Sequence, residues 1–94
     1  MAFARIALFP GGTKEEYDAI DQALGEAVRN QPERILHACG ETDRGFQLIQ
    51  VWKSKEAIDR FVSEHLGASM AKVGDRGFKS PPEIIDFEIH DLMV

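Results

Sequence analysis

Residues 34–53 read RILHACGETDRGFQLIQVWK, and this stretch decides the fold. Arg34 to Gly40 and Phe46 to Lys53 are two runs rich in strand formers, and Glu41-Thr-Asp-Arg-Gly45 between them is a short polar connection ending in glycine. Two such runs around a tight turn predict an antiparallel β-hairpin. On its C-terminal side, Ser54 stands where it can cap a helix. The apolar residues Ile58, Phe61, Val62, Leu66, Met70 and Val73 then recur at the i, i+3, i+4 spacing of one buried face, with Gly67 expected to bend or break the helix. Gly74 to Pro82 is a Gly/Pro loop. Glu83 to Leu92 alternates Ile85, Phe87 and Ile89 against Asp86, Glu88 and His90, the period-two pattern of a last strand.

On the N-terminal side of the hairpin, Ala2 to Phe9 reads as a strand that stops at the breaker Pro10-Gly11-Gly12. Thr13 followed three residues later by Glu16 is a capping box. It opens a helix carrying Tyr17, Ile20, Leu24, Ala27 and Val28 on one face and ending near Asn30, before Pro32. The order is therefore βαββαβ. It predicts one α+β, ferredoxin-like domain over residues 1–94, a four-stranded antiparallel sheet with two helices on one face. The other face is left open. Strand one places Phe3, Arg5, Ala7 and Phe9 on one side and Ala4, Ile6 and Leu8 on the other, so both faces need cover, and a homodimer pairing two open faces is expected. The charged side chains of strand four predict a partly polar contact there, with Arg5 reaching Asp86 or Glu88.

Composition narrows the partners. Eleven Lys and Arg against sixteen Asp and Glu give a net charge of −5, and no basic stripe exists that could follow a phosphate backbone, which argues against nucleic acid. Cys39 is the only cysteine, so no intramolecular disulfide forms, and a reducing, cytoplasmic setting is expected. Met1-Ala-Phe-Ala-Arg-Ile reads unlike a secretory signal, and no apolar run approaches the roughly twenty residues of a membrane span.

Four stretches taken together, FPGGTKEEYDA near the start, HACG closing strand two, VWKSKEAIDRFVSEHL and PPEIIDFEIHDL, resemble the small members of the dimeric α/β-barrel superfamily that includes the antibiotic-biosynthesis monooxygenases. The resemblance spans nearly the whole chain, and its motifs are chiefly structural. It implies a homodimer whose sheets pack into a barrel, with a pocket in each subunit between sheet and helices. Enzymes of that superfamily include cofactor-free oxygenases of aromatic polyketides and haem-degrading oxygenases. The haem degraders use an Asn on strand one, a Trp on strand three and a His on helix two. Trp52 and His65 fall on the matching elements at a somewhat longer spacing, but strand one has no Asn, which departs from that pattern.

The residues that carry candidate chemistry each have a plainer alternative. Trp52 offers a large ring that can floor a pocket and stack on an aromatic ligand, or it is core at the strand-to-helix junction. His65, at the edge of the second helix's apolar stripe, and His37, on the strand face read as shared with Ile35 and Cys39, are candidate proton acceptors or else half-buried imidazoles with one hydrogen bond. Tyr17 either closes a pocket mouth with its hydroxyl or packs with Ile20 and Leu24. His90, on the polar face of strand four with Asp86 and Glu88, reads as solvated or at an interface. No CxxC, HxH or HExxH presets a metal site, no GxSxG presets a nucleophile, and Gly11-Gly12 lacks a phosphate-loop pattern. The expected function is binding of a small aromatic or apolar molecule, with cofactor-independent monooxygenation as the enzymatic form, His65 or His37 taking a proton and Trp52 holding the ring. The alternatives are a non-catalytic binding or regulatory module and a structural dimer with no pocket.

Overall fold

The computed structural model describes residues 1–94, apart from the side chain of Ala27. Strand β1 (Phe3–Pro10) ends at Gly11, whose φ of 71° begins the turn into the first helix. Thr13 Oγ1 accepts from the Glu16 N–H at 3.2 Å, and Glu16 Oε1 accepts from the Thr13 N–H at 3.1 Å, so the capping box starts α1 (Lys14–Leu24). Gly25, with φ 82°, ends α1 and separates it from the short α2 (Glu26–Arg29). The single helix expected as far as Asn30 is thus two pieces, because a left-handed residue interrupts the helical ladder.

The hairpin forms as expected and extends further. Strand β2 (Arg34–Thr42) and strand β3 (Gly45–Trp52) leave only Asp43 and Arg44 in the turn. Ser54 Oγ then accepts from the Ala57 N–H at 3.1 Å and caps α3 (Lys55–Phe61). Gly67 does not break the helix that follows. Its φ and ψ of −58° and −45° are helical and its N–H bonds the Val62 carbonyl five residues back, so Val62–Leu66 form a π turn that carries α3 into α4 (Gly67–Val73). After the loop, β4 (Glu83–Glu88) is shorter than the strand predicted to Leu92. Only the Ile89 N–H continues toward β1, donating to the Ala2 carbonyl at 2.9 Å.

The sheet order is β2-β3-β1-β4 with every neighbour antiparallel. This is the ferredoxin-like arrangement, and the helices cover the face that carries Phe3, Arg5, Ala7 and Phe9. Buried Phe3, Trp52, Ala57, Ile58 and Phe61 form the main core, with Leu24, Val28, Val62 and Leu66 packed against it. The register corrects one expectation about the opposite face. Arg5 pairs with Asp86 and Phe3 with Glu88, so these two carboxylates of β4 lie on the helix side, and the open face holds Leu36, Ile49, Ile85 and Phe87, with Glu83 at its end. No helix among the described residues is long and apolar enough to cross a membrane.

Candidate functional site

A cavity of about 220 Å³ lies between the sheet and the helices. Its origin is visible in the inward side chains of β1. Phe3 is paired with Trp52 at one end of the strand and Phe9 with Phe46 at the other, while between them stand Arg5 opposite Gln50 and Ala7 opposite Leu48. Phe9 stacks on Phe78 at 3.9 Å between centroids, and Trp52 meets Phe61 at 5.3 Å. Large rings at both ends hold the helices off the sheet, and the methyl of Ala7 is too small to fill the space left in the middle. Leu48, Ile58, Leu66 and Met70 supply much of the apolar wall.

Tyr17 from α1 and His37 from β2 meet at this wall. Tyr17 Oη and His37 Nε2 are 2.9 Å apart, and the Tyr17 ring is held by stacking on Phe46 at 4.9 Å. Burial, reinforced by the guanidinium groups of Arg34 and Arg29, holds His37 below its ordinary value, so the imidazole is neutral at neutral pH. Burial and then the neighbouring Cys39 thiol push the Tyr17 phenol well above its ordinary value, so it keeps its proton. His37 Nδ1 is buried with no partner among the described residues. The nitrogen in use is therefore Nε2, and its contact is the Tyr17 oxygen.

A β-bulge adds a charge to the same wall. Arg34 pairs with Trp52 and Leu36 with Val51, which leaves Ile35 as an extra residue without a partner. A regular strand would have turned Ile35 inward beside His37 and Cys39, as the alternation predicted. The bulge instead exposes Ile35 and turns Arg34 inward, where its Cζ lies 5.5 Å from the centre of the Trp52 ring and 5.6 Å from that of Phe61. Trp52 itself is 1% exposed and belongs to the core beside the cavity rather than to its lining. Its Nε1–H donates to Gln50 Oε1 at 2.7 Å, so it acts on the cavity through Gln50.

Of the four residues singled out in the sequence for catalysis or ligand binding, Tyr17 and His37 are thus brought together at the cavity, and Trp52 and His65 are not. His65 lies in the π turn, half-buried, with its ring 6.0 Å from Phe61. His90 is exposed beyond the end of β4, and Cys39 is exposed on the edge strand. Among the polar lining residues that the sequence did not mark are Arg34, Gln50, Arg29 and Asp21. Gln50 had a signal, a polar side chain at an inward position between Leu48 and Trp52. Arg34 had none, since nothing local marks Ile35 as a bulge.

No protein-family model matches the sequence, and no curated protein matches it significantly. Solved structures do match. Rv0793 from Mycobacterium tuberculosis aligns over 100% of both chains with 20% identity and a TM-score of 0.72. A dimeric ferredoxin-like protein of unknown function from Thermobifida fusca YX aligns over 95% of this chain and 92% of its own, with 16% identity and a TM-score of 0.67. A variant of SnoaB, a cofactor-independent oxygenase from Streptomyces nogalater, aligns over 98% of this chain and 95% of its own, with 16% identity and a TM-score of 0.64. Others carry provisional names as antibiotic biosynthesis monooxygenases. At these identities the likeness concerns backbone architecture. The chain has the ferredoxin-like fold that these structures share, as the βαββαβ order read from the sequence predicted.

Proposed function

We propose that the cavity binds a small aromatic molecule and that the Tyr17–His37 pair removes a proton from it, allowing dioxygen to react without a bound cofactor. The observation that carries this reading is the 2.9 Å contact between a phenol and a neutral imidazole at the wall of an apolar cavity. The cavity is smaller than the roughly 300–1,000 Å³ of drug-sized sites, which favours about two fused rings. The substrate carries an acidic CH₂ next to a carbonyl. Its proton passes to the Tyr17 oxygen as the phenol hands its own proton to His37 Nε2. The resulting enolate gives electrons to dioxygen, a C–O bond forms, and protonation yields a hydroperoxide on that carbon. Loss of the remaining C–H proton with cleavage of the O–O bond releases water, so that CH₂ and O₂ become C=O and H₂O.

Oxygen uptake with 2-tetralone, a bicyclic ketone with such a CH₂, tests this. The expected result is one dioxygen consumed per ketone, with the rate lowered about 10²–10⁴-fold in Tyr17→Phe and in His37→Gln. Quenching of Trp52 emission by the ketone with no uptake would assign the cavity to sequestration or sensing. Uptake unchanged in both variants would remove the pair from the mechanism.

We further propose that the chain is a homodimer closed through its open sheet face. Ile49, Ile85 and Phe87 stand 43%, 64% and 48% exposed there, a contiguous apolar surface of the kind that monomers seldom leave in water. The dimeric state named for the Thermobifida fusca structure supports the same reading.

A further inference from the structure

Three guanidinium groups line the cavity, and two of them are already matched. Arg5 donates through Nε and Nη2 to the two carboxylate oxygens of Asp86, each at 2.8 Å. Arg29 Nε lies 3.1 Å from Asp21 Oδ1. Arg34 has no carboxylate partner among the described residues. It donates one hydrogen bond to the Arg29 carbonyl, and its remaining close neighbours are the faces of Trp52 and Phe61. A guanidinium carries five N–H donors, and ring faces balance part of its charge while accepting few of those hydrogens. With His37 neutral, three cations face two carboxylates, and the cavity wall keeps one uncompensated positive charge in an apolar setting. A charge contact there is less screened than on the surface.

Gln50 provides a second donor group on the wall of the same cavity. The Trp52 indole N–H can only donate, so Gln50 must turn its amide oxygen toward Trp52, as the 2.7 Å contact requires. That orientation frees the amide N–H pair for other partners. Both groups are thus set by the same indole, Arg34 above its ring and Gln50 at its nitrogen.

We infer that the cavity selects small aromatic molecules bearing an anionic oxygen, a carboxylate or a phenolate, which Arg34 and Gln50 hold. This rests on the reading of the cavity as a ligand site and narrows its ligand class. It also gives the bulge at Ile35 a purpose, since without that extra residue in β2 the inward position would carry an isoleucine.

Calorimetric titration of the full chain at about pH 7.5 with 2-naphthoate, methyl 2-naphthoate and 2-naphthol tests the inference. 2-Naphthoate is expected to bind at least about tenfold more tightly than its uncharged ester. Arg34→Gln should abolish that preference by weakening 2-naphthoate alone, and Arg34→Lys should keep part of it. Should Arg34→Gln fail to fold, Gln50→Glu gives a second readout, because an added carboxylate on the same cavity wall would repel the anion. A red-shifted absorption band of bound 2-naphthol identifies phenolate as an accepted form, and its absence beside tight 2-naphthoate binding restricts the class to carboxylates. Equal binding of acid and ester, or a preference that survives both Arg34→Gln and Gln50→Glu, overturns the assignment to Arg34 while leaving the cavity a ligand site. If none of the three compounds binds, the ligand-site reading fails and this inference fails with it.

Discussion

His37 stands with its used nitrogen on Tyr17, its other nitrogen without a partner among the described residues and two arginines nearby. Each of these circumstances opposes a second proton on the ring, and burial is the largest of them. The consequence for stability has a definite sign. Below the ordinary histidine value of 6.5 the unfolded chain takes up a proton that the folded chain refuses until the pH is lower, so stability present above about 6.5 declines as the pH falls through that window. Urea midpoints at about pH 7.5 and about pH 5.5 should therefore differ more for the wild-type chain than for His37→Gln. Equal differences would mean that folding leaves the His37 pKa where it stands in the unfolded chain. The same neutrality is what a proton acceptor needs at working pH, so the stability cost and the proposed role come from one environment.

Elements in this fold are tied together by a few positions where backbone approaches backbone. Gly45, the first residue of β3, has a φ of 142°, and a Cβ there would lie 2.1 Å from the Phe9 carbonyl oxygen and 2.6 Å from the Gly11 nitrogen. Those groups belong to the end of β1 that carries Phe9, whose stacking on Phe78 closes one end of the cavity. Gly45→Ala is expected to cost about 1–3 kcal/mol from backbone conformation alone, with the clash adding to it. A urea titration reads this directly, and a loss within about 0.5 kcal/mol would show that the strand ends can separate freely. The π turn and the bulge act at the same scale. The π turn lets the helix pass Gly67 without a break, and the bulge turns one residue of β2 over.

For the whole molecule the decisive feature is the unequal treatment of the two sheet faces. Asp86 and Glu88 of β4 face the helix side, where Asp86 meets Arg5, so the middle of the opposite face is left apolar, with Glu83 only at its end, paired with Arg44. Ile85→Asp places a carboxylate in the middle of that face. Light scattering should then report a change from twice the 10.5 kDa chain mass to the single chain, with the far-ultraviolet spectrum retained. A wild-type chain that scatters as a monomer at micromolar concentration would mean that the open face does not pair with itself.

The sequence by itself determined the element order, both helix caps, the hairpin and the grouping of Phe3, Arg5, Ala7 and Phe9 on one side of strand one, but not which side faces the helices. Capping and turn formation act within a few residues, and side-chain alternation follows from the pleat, so these features are written locally. It also marked Tyr17 and His37, though not that they touch. Tertiary structure alone decided that contact between residues twenty apart, the bulge that turns Arg34 inward, the burial of Trp52 beneath Gln50, and the side of the sheet that receives Asp86. Each depends on strand register or on which helix lies over which strand. A shift of one residue in register reverses the face of every side chain beyond it, and no local pattern in this chain specifies that register.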